Sequence, residues 1–184
     1  MNGSRQSPVD LGAAVYCEPR ELRIDYQSSV HRGHDDGCTH KVPVPVGHSI
    51  SYDGTTYELE SYHFHTPSEH AIAGELAAAE IHFVHVDAAG TTAVLGVFVE
   101  EGEQSHGPRH FSETTAIEVL LPESRVHYAY DGSLTTPPYT EGVTWIVMKD
   151  SITLHPEWIE TFSERYGANN RPTQPLGGRT VRLG

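Results

Sequence analysis

Cysteine is scarce in this chain of 184 residues, which contains only Cys17 and Cys38. Neither lies in a closely spaced pair, so the sequence excludes a disulfide-rich secreted scaffold, although one Cys17–Cys38 disulfide stays open. Long hydrophobic runs are missing as well, and no stretch approaches the length of a membrane-spanning helix. Residues 1–9 lack the basic and apolar pattern of a signal sequence, from which we expect a cytoplasmic protein or a trimmed periplasmic or secreted domain.

Positive charge is also in short supply, because 12 basic residues face 25 acidic ones and the formal net charge is −13. Such a surface repels nucleic acid and anionic membranes, so we expect neither as a partner. Hydrophobic residues make up 37% of the chain, with 17 glycines and 12 prolines scattered along it. This composition indicates a soluble globular protein rich in turns and short strands, built as a single domain over residues 1–184.

Alternating or apolar runs bounded by turn residues predict seven strands. They cover Glu21–Tyr26, Lys41–Val46, Ser49–Tyr52, Thr56–His65, Glu80–Val86, Thr92–Glu100 and Val143–Lys149. Asp53-Gly54 and Ala88-Ala89-Gly90 are hairpin-type connections, so the strands they join should be antiparallel. A helix is predicted over residues 155–166, and a weaker one over residues 112–121. We therefore expect a mainly β fold, a large and mostly antiparallel sheet with short surface helices.

Two histidines flank Phe64 in one predicted strand, so His63 and His65 present both imidazoles on the same face while Phe64 points into apolar packing. His82 on the neighbouring strand would supply a third neutral nitrogen and leave a fourth position for water, which is typical of catalytic zinc. With 13 histidines in the chain, a close pair alone is weak evidence. Glu80 strengthens it, because a carboxylate on the same face can orient a ligand imidazole.

A proline-rich segment at residues 132–138 carries two adjacent hydroxyls, on Thr135 and Thr136. The prolines hold the backbone rigid, although taken alone the segment is an ordinary turn. For the remaining histidines that we considered, the simpler interpretation is a satisfied or exposed imidazole: His48, His70, His85 and His155.

These motifs, in this order, resemble the alpha carbonic anhydrases, and the bacterial members in particular. The matching stretches lie at residues 2–10, 63–70, 80–85, 93–98, 132–138, 143–147 and 169–176. The resemblance implies a single large, twisted, mostly antiparallel sheet and one Zn²⁺ per chain. It also implies reversible hydration of carbon dioxide to bicarbonate and a proton by zinc hydroxide, with inhibition by sulfonamides and anions.

The resemblance further implies a role for individual residues. The zinc ligands would be His63, His65 and His82, supported by Glu80, Ser61 and the backbone of Asn169. Thr135 would orient the hydroxide while donating its own hydrogen bond to Glu69, and Thr136 would border the bicarbonate site. An apolar wall for carbon dioxide would consist of Val84, Val94, Leu134, Val143 and Trp145.

Four departures from the family pattern bear on these expectations. The family has an aromatic-rich segment before Gln6, and this sequence begins almost there, so a layer over the cavity mouth is expected to be missing. Tyr139 stands where many bacterial members have a cysteine, which removes that disulfide and favours a reducing compartment. Ser61 replaces a glutamine, and its shorter side chain should weaken metal binding modestly.

The fourth departure concerns proton export. A gapless alignment puts Cys38 where the family has its shuttle histidine, and this is the interpretation we favour. A small insertion would instead give the role to His34, and His40 lies on the same strand face as position 38. Two other functions stay open: a catalytically silent binding module, which would typically have lost a zinc histidine, and ester hydrolysis as a side activity of the same zinc site.

Overall fold

The computed structural model describes residues 3–102 and 115–184, and strands dominate them. Numbered β1 to β16 in chain order, the described strands are Val15–Tyr16, Leu22–Asp25, Val30–His31, His34–Asp35, His40–Pro43, Ser49–Tyr52, Thr55–His65, Ala71–Ile72, Glu75–Leu76, Ala79–Val86, Thr92–Glu101, Thr115–Ala116, His127–Ser133, Glu141–Met148, Ile152–Leu154 and Arg182–Leu183. One α-helix, α1, spans Pro156–Tyr166, and one 3-10 helix spans Ile117–Leu120. Within the same ranges no helix is long and apolar enough to cross a membrane.

Twelve of the strands form one sheet, whose main path runs β1-β16-β13-β14-β11-β10-β7-β5-β4. β15 joins it at β11, and β2 joins it through β6, which pairs with β7. Most neighbours are antiparallel, whereas β11 runs parallel to both β14 and β15, and β1 runs parallel to β16. The expected large, mostly antiparallel sheet is therefore confirmed.

The seven predicted strands are all present, and both predicted hairpins are antiparallel. The sheet also contains β13, which sequence periodicity did not reveal and which pairs with both β14 and β16. The helix predicted over residues 112–121 is wrong where it can be compared, because β12 and the 3-10 helix occupy its described part. The described part of this range begins with Thr115, a β-branched residue, and Pro122 follows its end. Both residue types disfavour an α-helix in this segment.

Helix α1 was predicted at nearly its observed position and covers one face of the sheet. It opens with Pro156 and ends at Gly167, whose φ of +65° suits glycine. Its buried Trp158 packs against Phe64 with ring centroids 4.9 Å apart. Because side chains alternate along a strand, this contact turns both neighbours of Phe64 toward the opposite face of the sheet.

Both cysteines are free thiols, so the disulfide that the sequence left open is not formed. The backbone N–H of Cys17 donates to the carbonyl of Leu183 beside β16, 2.9 Å away. Cys38 is exposed in the turn before β5, where its N–H donates to Asp36. The two residues belong to different edges of the molecule.

Candidate metal centre

Strands β7 and β10 bring three histidines together. In their antiparallel register His82 lies opposite His63, and Glu80 lies opposite His65. The ring centroids are 5.0 Å apart for His63 and His65, 5.4 Å for His63 and His82, and 4.7 Å for His65 and His82. One nitrogen from each ring lies within 4.8 Å of the other two. The predicted trio is therefore one cluster, with the spacing that a single ion could bridge.

Neighbouring groups leave one nitrogen of His65 and one of His82 facing the centre of this cluster. His65 directs Nδ1 toward the carbonyl of Asn169 at 3.2 Å, and its buried Nε2 has no hydrogen-bond partner. His82 directs Nε2 toward Glu80 Oε1 at 3.0 Å. Glu69 Oε2 lies 3.7 Å from His65 Nε2 and from His82 Nδ1, also unpartnered. Buried polar atoms left unpaired in this way are costly, and a cation at the centre of the cluster would satisfy Nε2 of His65.

Electrostatics favour neutral imidazoles in two of the three positions. Burial holds the pKa of His63 well below its ordinary value, and burial also lowers the pKa of His65. For His82 burial acts to lower the pKa, but the Glu80 carboxylate outweighs it and the net shift is upward. A metal ion needs the neutral form, so the free nitrogens of His63 and His65 are available as ligands near neutral pH.

Glu80 is fully buried and holds a second group of residues around the cluster. Its Oε2 accepts the backbone N–H groups of Glu69 and His70, each at 2.9 Å. Its Oε1 lies 2.7 Å from His70 Nδ1, while His70 Nε2 lies 2.7 Å from the hydroxyl of Tyr130. Burial raises the pKa of Glu80, but His70 and His82 lower it more, so the carboxylate stays ionised. A Cβ on Gly96 would lie 2.9 Å from Oε1, so only glycine leaves this carboxylate its room.

A second group of potential ligands consists of His70, Glu80 and His82. Both nitrogens of His70 are already engaged, and all three side chains are buried. This group therefore lacks an open position and serves to hold the first cluster in place.

An open cavity of about 570 Å³ leads to the histidine cluster. Its lining includes His63 and His65 together with Thr135, Thr136 and Lys41. It also includes residues 36–39 and 169–172, together with Pro137, Tyr139 and Tyr166. A small molecule can thus reach the centre of the cluster from solvent.

The predicted apolar wall is assembled beside the histidine cluster. Its five members pack in one apolar layer: Val84, Val94, Leu134, Val143 and Trp145. The Trp145 ring lies 4.8 Å from that of His82, so the layer abuts the cluster. None of the five is among the residues that line the cavity described above.

Two of the expected supporting contacts are not formed among the described residues. Thr135 lines the cavity, yet no hydrogen bond joins it to Glu69, whose Oε1 instead accepts the backbone N–H of Arg171 at 2.7 Å. Ser61 is buried and makes no hydrogen bond to His63, which agrees with its short side chain. Asn169 does reach the cluster, as expected, through its carbonyl and His65.

The three candidates for proton relay are placed differently. Cys38 is exposed and lines the cavity. His40 is buried at 9% exposure, packs beside Gly33 and is absent from the cavity lining, and burial lowers its pKa. His34 is exposed on β4 and is also outside that lining. The expectation that His40 shares the face of position 38 is wrong, because Cys38 lies in a turn ahead of the strand.

Several residues around the site escaped the sequence analysis. His70 and Tyr130 were not recognised as the support of Glu80, and Arg171 was not recognised as the partner of Glu69. A signal existed only for Gly96, since a lone glycine inside an apolar strand indicates a close approach of another group.

Comparison with known proteins agrees with this geometry. The model of the eukaryotic-type carbonic anhydrase family matches residues 1–184. The carbonic anhydrase of Pectobacterium atrosepticum is 36% identical over 194 residues, covering 97% of this chain and 80% of that protein. The carbonic anhydrase of Neisseria gonorrhoeae is 34% identical, covering 97% of this chain and 77% of that protein.

Solved structures give the same result. The alpha-carbonic anhydrase from Thermovibrio ammonificans, in complex with the inhibitor sulfanilamide, superposes with a TM-score of 0.88 at 37% identity, covering 98% of this chain and 87% of that one. A hyperthermostable carbonic anhydrase from a hydrothermal vent chimney gives a TM-score of 0.88 at 38% identity, covering 98% and 88%. The chain therefore belongs to the eukaryotic-type, or alpha, carbonic anhydrase family.

Proposed function

We propose that this chain is a zinc enzyme that hydrates carbon dioxide reversibly, with His63, His65 and His82 as the metal ligands. The observation that carries the proposal is the pair of unpartnered, buried nitrogen and oxygen atoms at the centre of the cluster, His65 Nε2 and Glu69 Oε2. Three histidines at the end of an open cavity leave a fourth coordination position accessible, as catalytic rather than structural zinc sites do.

When bound, zinc would lower the pKa of its water and so provide a hydroxide nucleophile near neutral pH, a chemistry for which carbonic anhydrase is the type example. The chain would supply the orientation. Glu80 faces Nε2 of His82, which leaves Nδ1 of that ring for the metal. The Asn169 carbonyl faces Nδ1 of His65, which leaves Nε2 of that ring for the metal. Burial would keep the imidazoles of His63 and His65 neutral, which is the form that binds a metal ion.

Two hydroxyls on the cavity wall would act on the reacting groups. Thr135 would accept a hydrogen bond from the nucleophile and donate its own to the free Oε2 of Glu69, and Thr136 would border bicarbonate. Lys41, whose charge acts to lower the pKa of His63, lines the same cavity in a chain of net charge −13. A local positive charge of this kind attracts an anionic product into the cavity, although the protein as a whole is negatively charged.

A silent binding module is the second candidate, and no observation favours it. Such a module would have lost a ligand, whereas His63, His65 and His82 all occupy the cluster. The sulfanilamide complex of a relative suggests that an unsubstituted aromatic sulfonamide will bind here as well. The cytoplasmic location stays a prediction.

Removal and return of the metal test the proposal. Chelator-treated protein should regain one zinc per chain by calorimetric titration, unfold at a higher temperature with zinc, and recover hydration activity in stopped-flow assays. Sulfanilamide should bind the zinc form and not the metal-free form. Zinc binding without hydration activity would leave the silent module as the better account, and no zinc binding at all would overturn both the ligand set and the activity.

A further inference from the structure

The cavity wall that carries Thr135 and Thr136 is a short loop from Leu134 to Thr140. Its ends are closed by a hydrogen bond from the N–H of Leu134 to the carbonyl of Thr140, 2.9 Å long. Within it, the N–H of Tyr139 donates to the carbonyl of Thr136 at 2.9 Å, and Tyr139 has a φ of +62°. A non-glycine residue in this region adopts the conformation at a cost, so contacts of its side chain must offset that cost.

Arg171 provides those contacts. Its guanidinium carbon lies 3.8 Å from the centroid of the Tyr139 ring, well inside the range of a cation–π interaction. Nη1 donates to Gln6 Oε1 at 3.1 Å and to the carbonyl of Ser7 at 2.6 Å. No carboxylate is described beside this guanidinium, so its described contacts are these two neutral oxygens and the face of the ring.

Gln6 completes the attachment from the other side of the loop. Its side chain is only 7% exposed, and its Nε2 donates to the carbonyl of Tyr139 at 3.3 Å and to Glu141 Oε1 at 3.1 Å. One glutamine thus binds the guanidinium of Arg171 through its oxygen and the loop through its nitrogen. Gln6, Arg171 and Tyr139 thus form a closed set of contacts, in which Tyr139 takes part through its ring and its carbonyl.

The backbone of the same arginine reaches the proposed reaction centre. The N–H of Arg171 donates to Glu69 Oε1 at 2.7 Å, and the other oxygen of Glu69 is the free acceptor assigned above to Thr135. Arg171 therefore contacts the loop that bears Thr135 through its side chain and the carboxylate partner of Thr135 through its main chain. Both groups line or adjoin one cavity.

We propose that Arg171 and Tyr139 are positioning residues, whose stacked contact sets the distance between the Thr135 hydroxyl and Glu69. The inference rests on the proposed function, since the orientation of Thr135 matters only if it serves a reaction at the histidine cluster. Small displacements of an orienting group cost activity without affecting the metal ligands, because orientation contributes strongly to catalysis.

Four variants test this role: Tyr139→Ala, Arg171→Gln, their combination, and Tyr139→Phe, which keeps the ring. We expect Tyr139→Ala and Arg171→Gln each to lower two quantities by about tenfold: kcat/KM for hydration and the affinity for sulfanilamide. A tenfold loss is the scale of one partly desolvated cation–π contact. Zinc content should stay at one per chain in all variants. Tyr139→Phe should keep kcat/KM and sulfanilamide affinity at the level of the parent protein. The double variant should be no worse than the poorer single one. Tyr16→Ala, a control at a tyrosine that is 77% exposed on β1, should change nothing.

Several results would overturn the proposal. If Tyr139→Ala lowers only the melting temperature and leaves kcat/KM and sulfanilamide affinity intact, the stack is merely structural. Multiplicative losses in the double variant would mean that the two residues are not coupled. If the parent protein itself proves inactive, the proposed function fails, and hydrogen exchange still decides the inference: the Tyr139 amide must lose protection in Arg171→Gln but keep it in the matched surface control Arg23→Gln.

Discussion

Glu80 Oε1 lies 3.0 Å from His82 Nε2, with both side chains at most 1% exposed. The same carboxylate accepts from the backbone of Glu69 and His70 and contacts the His70 ring. It therefore faces one nitrogen of a proposed zinc ligand from a position that is itself held by three neighbouring atoms, the backbone nitrogens of Glu69 and His70 and the Nδ1 of His70. Supporting groups of this kind raise the basicity of the ligand and its readiness to bind metal.

Replacement of Glu80 by glutamine should weaken zinc binding by about 10- to 100-fold. The amide keeps the size but presents an N–H₂ group, which cannot accept a hydrogen bond from His82. The dissociation constant can be measured by competition with a chromophoric chelator. Glu58→Gln, an exposed position on the same strand as His63, is the matched control and should bind zinc as the parent does. Equal zinc affinity in the two variants would contradict the role given to Glu80.

Thr135→Ala should retain zinc and lose hydration activity by about 100-fold, the scale expected when one orienting hydrogen bond is removed from a reaction centre. Thr135→Ser preserves the hydroxyl and should keep most of the activity. Stopped-flow rates and metal analysis on the same samples separate the two effects. If the alanine variant hydrates carbon dioxide at the parent rate, Thr135 does not orient the nucleophile.

Proton export should limit the rate in weak buffer, because the exposed residue of the cavity lining among the three relay candidates is Cys38 and not a histidine. Imidazole is the side chain best suited to take up and release a proton at neutral pH, and a thiol is a poorer relay there. Direct release to water would cap turnover at about 10³ per second. Imidazole buffer should raise the rate, and so should Cys38→His in dilute buffer, whereas Cys38→Ser should not.

The competing relays give a distinct outcome. High rates that do not depend on buffer concentration would show that another group already exports protons. If His40→Ala or His34→Ala then makes the rate buffer-dependent, that histidine is the relay and the assignment of Cys38 is wrong.

Acid should destabilise the fold through His85, whose pKa burial lowers to about 3. Its Nε2 lies 2.7 Å from the hydroxyl of Tyr26, a half-buried residue whose pKa is raised by burial of that hydroxyl. The unfolded chain takes up a proton near pH 6.5 but the folded one does not, so this contribution is complete above pH 6.5 and is lost progressively as the pH falls toward 3.

The loss amounts to about 1.4 kcal/mol of unfolding free energy for each pH unit in that window. Urea unfolding at several pH values should show a slope that is steeper in the parent than in His85→Gln by about this amount. Tyr26→Phe removes no group that titrates in acid, so it should lower stability without changing the slope. Parallel pH curves for the parent and His85→Gln would refute the assignment.

Much of the fold was predictable because the strands next to the site follow simple patterns. β7 alternates and β10 is apolar between turn residues, and the alternation alone turned His63 and His65 to one face. β13 was missed because both of its faces are buried and its polar groups are paired through distant residues. The Tyr130 hydroxyl, for instance, donates to Ser7, a partner 123 positions away that no local pattern reveals.

Contacts between residues far apart in the sequence also explain which part of the site could not be predicted. The ligand trio depends on two neighbouring strands, whose pairing is local enough to infer. Arg171 reaches Glu69 across 102 positions and Gln6 across 165, so its role depends entirely on the tertiary fold. The assembly of the apolar layer likewise depends on how β10, β11 and β14 pair, which brings Val84, Val94 and Trp145 side by side.

The most direct test of the account is zinc content and carbon dioxide hydration measured on the same dialysed samples of the parent, His63→Ala, His65→Ala and His82→Ala, with His127→Gln as a control. His127 is a buried histidine on β13, outside the cluster, bonded to the Arg125 carbonyl at 2.7 Å. We predict one zinc per chain and full activity in the parent and the control, and loss of both in each of the three alanine variants. A parent without zinc, or an alanine variant that keeps both zinc and activity, would contradict the assignment of these three histidines.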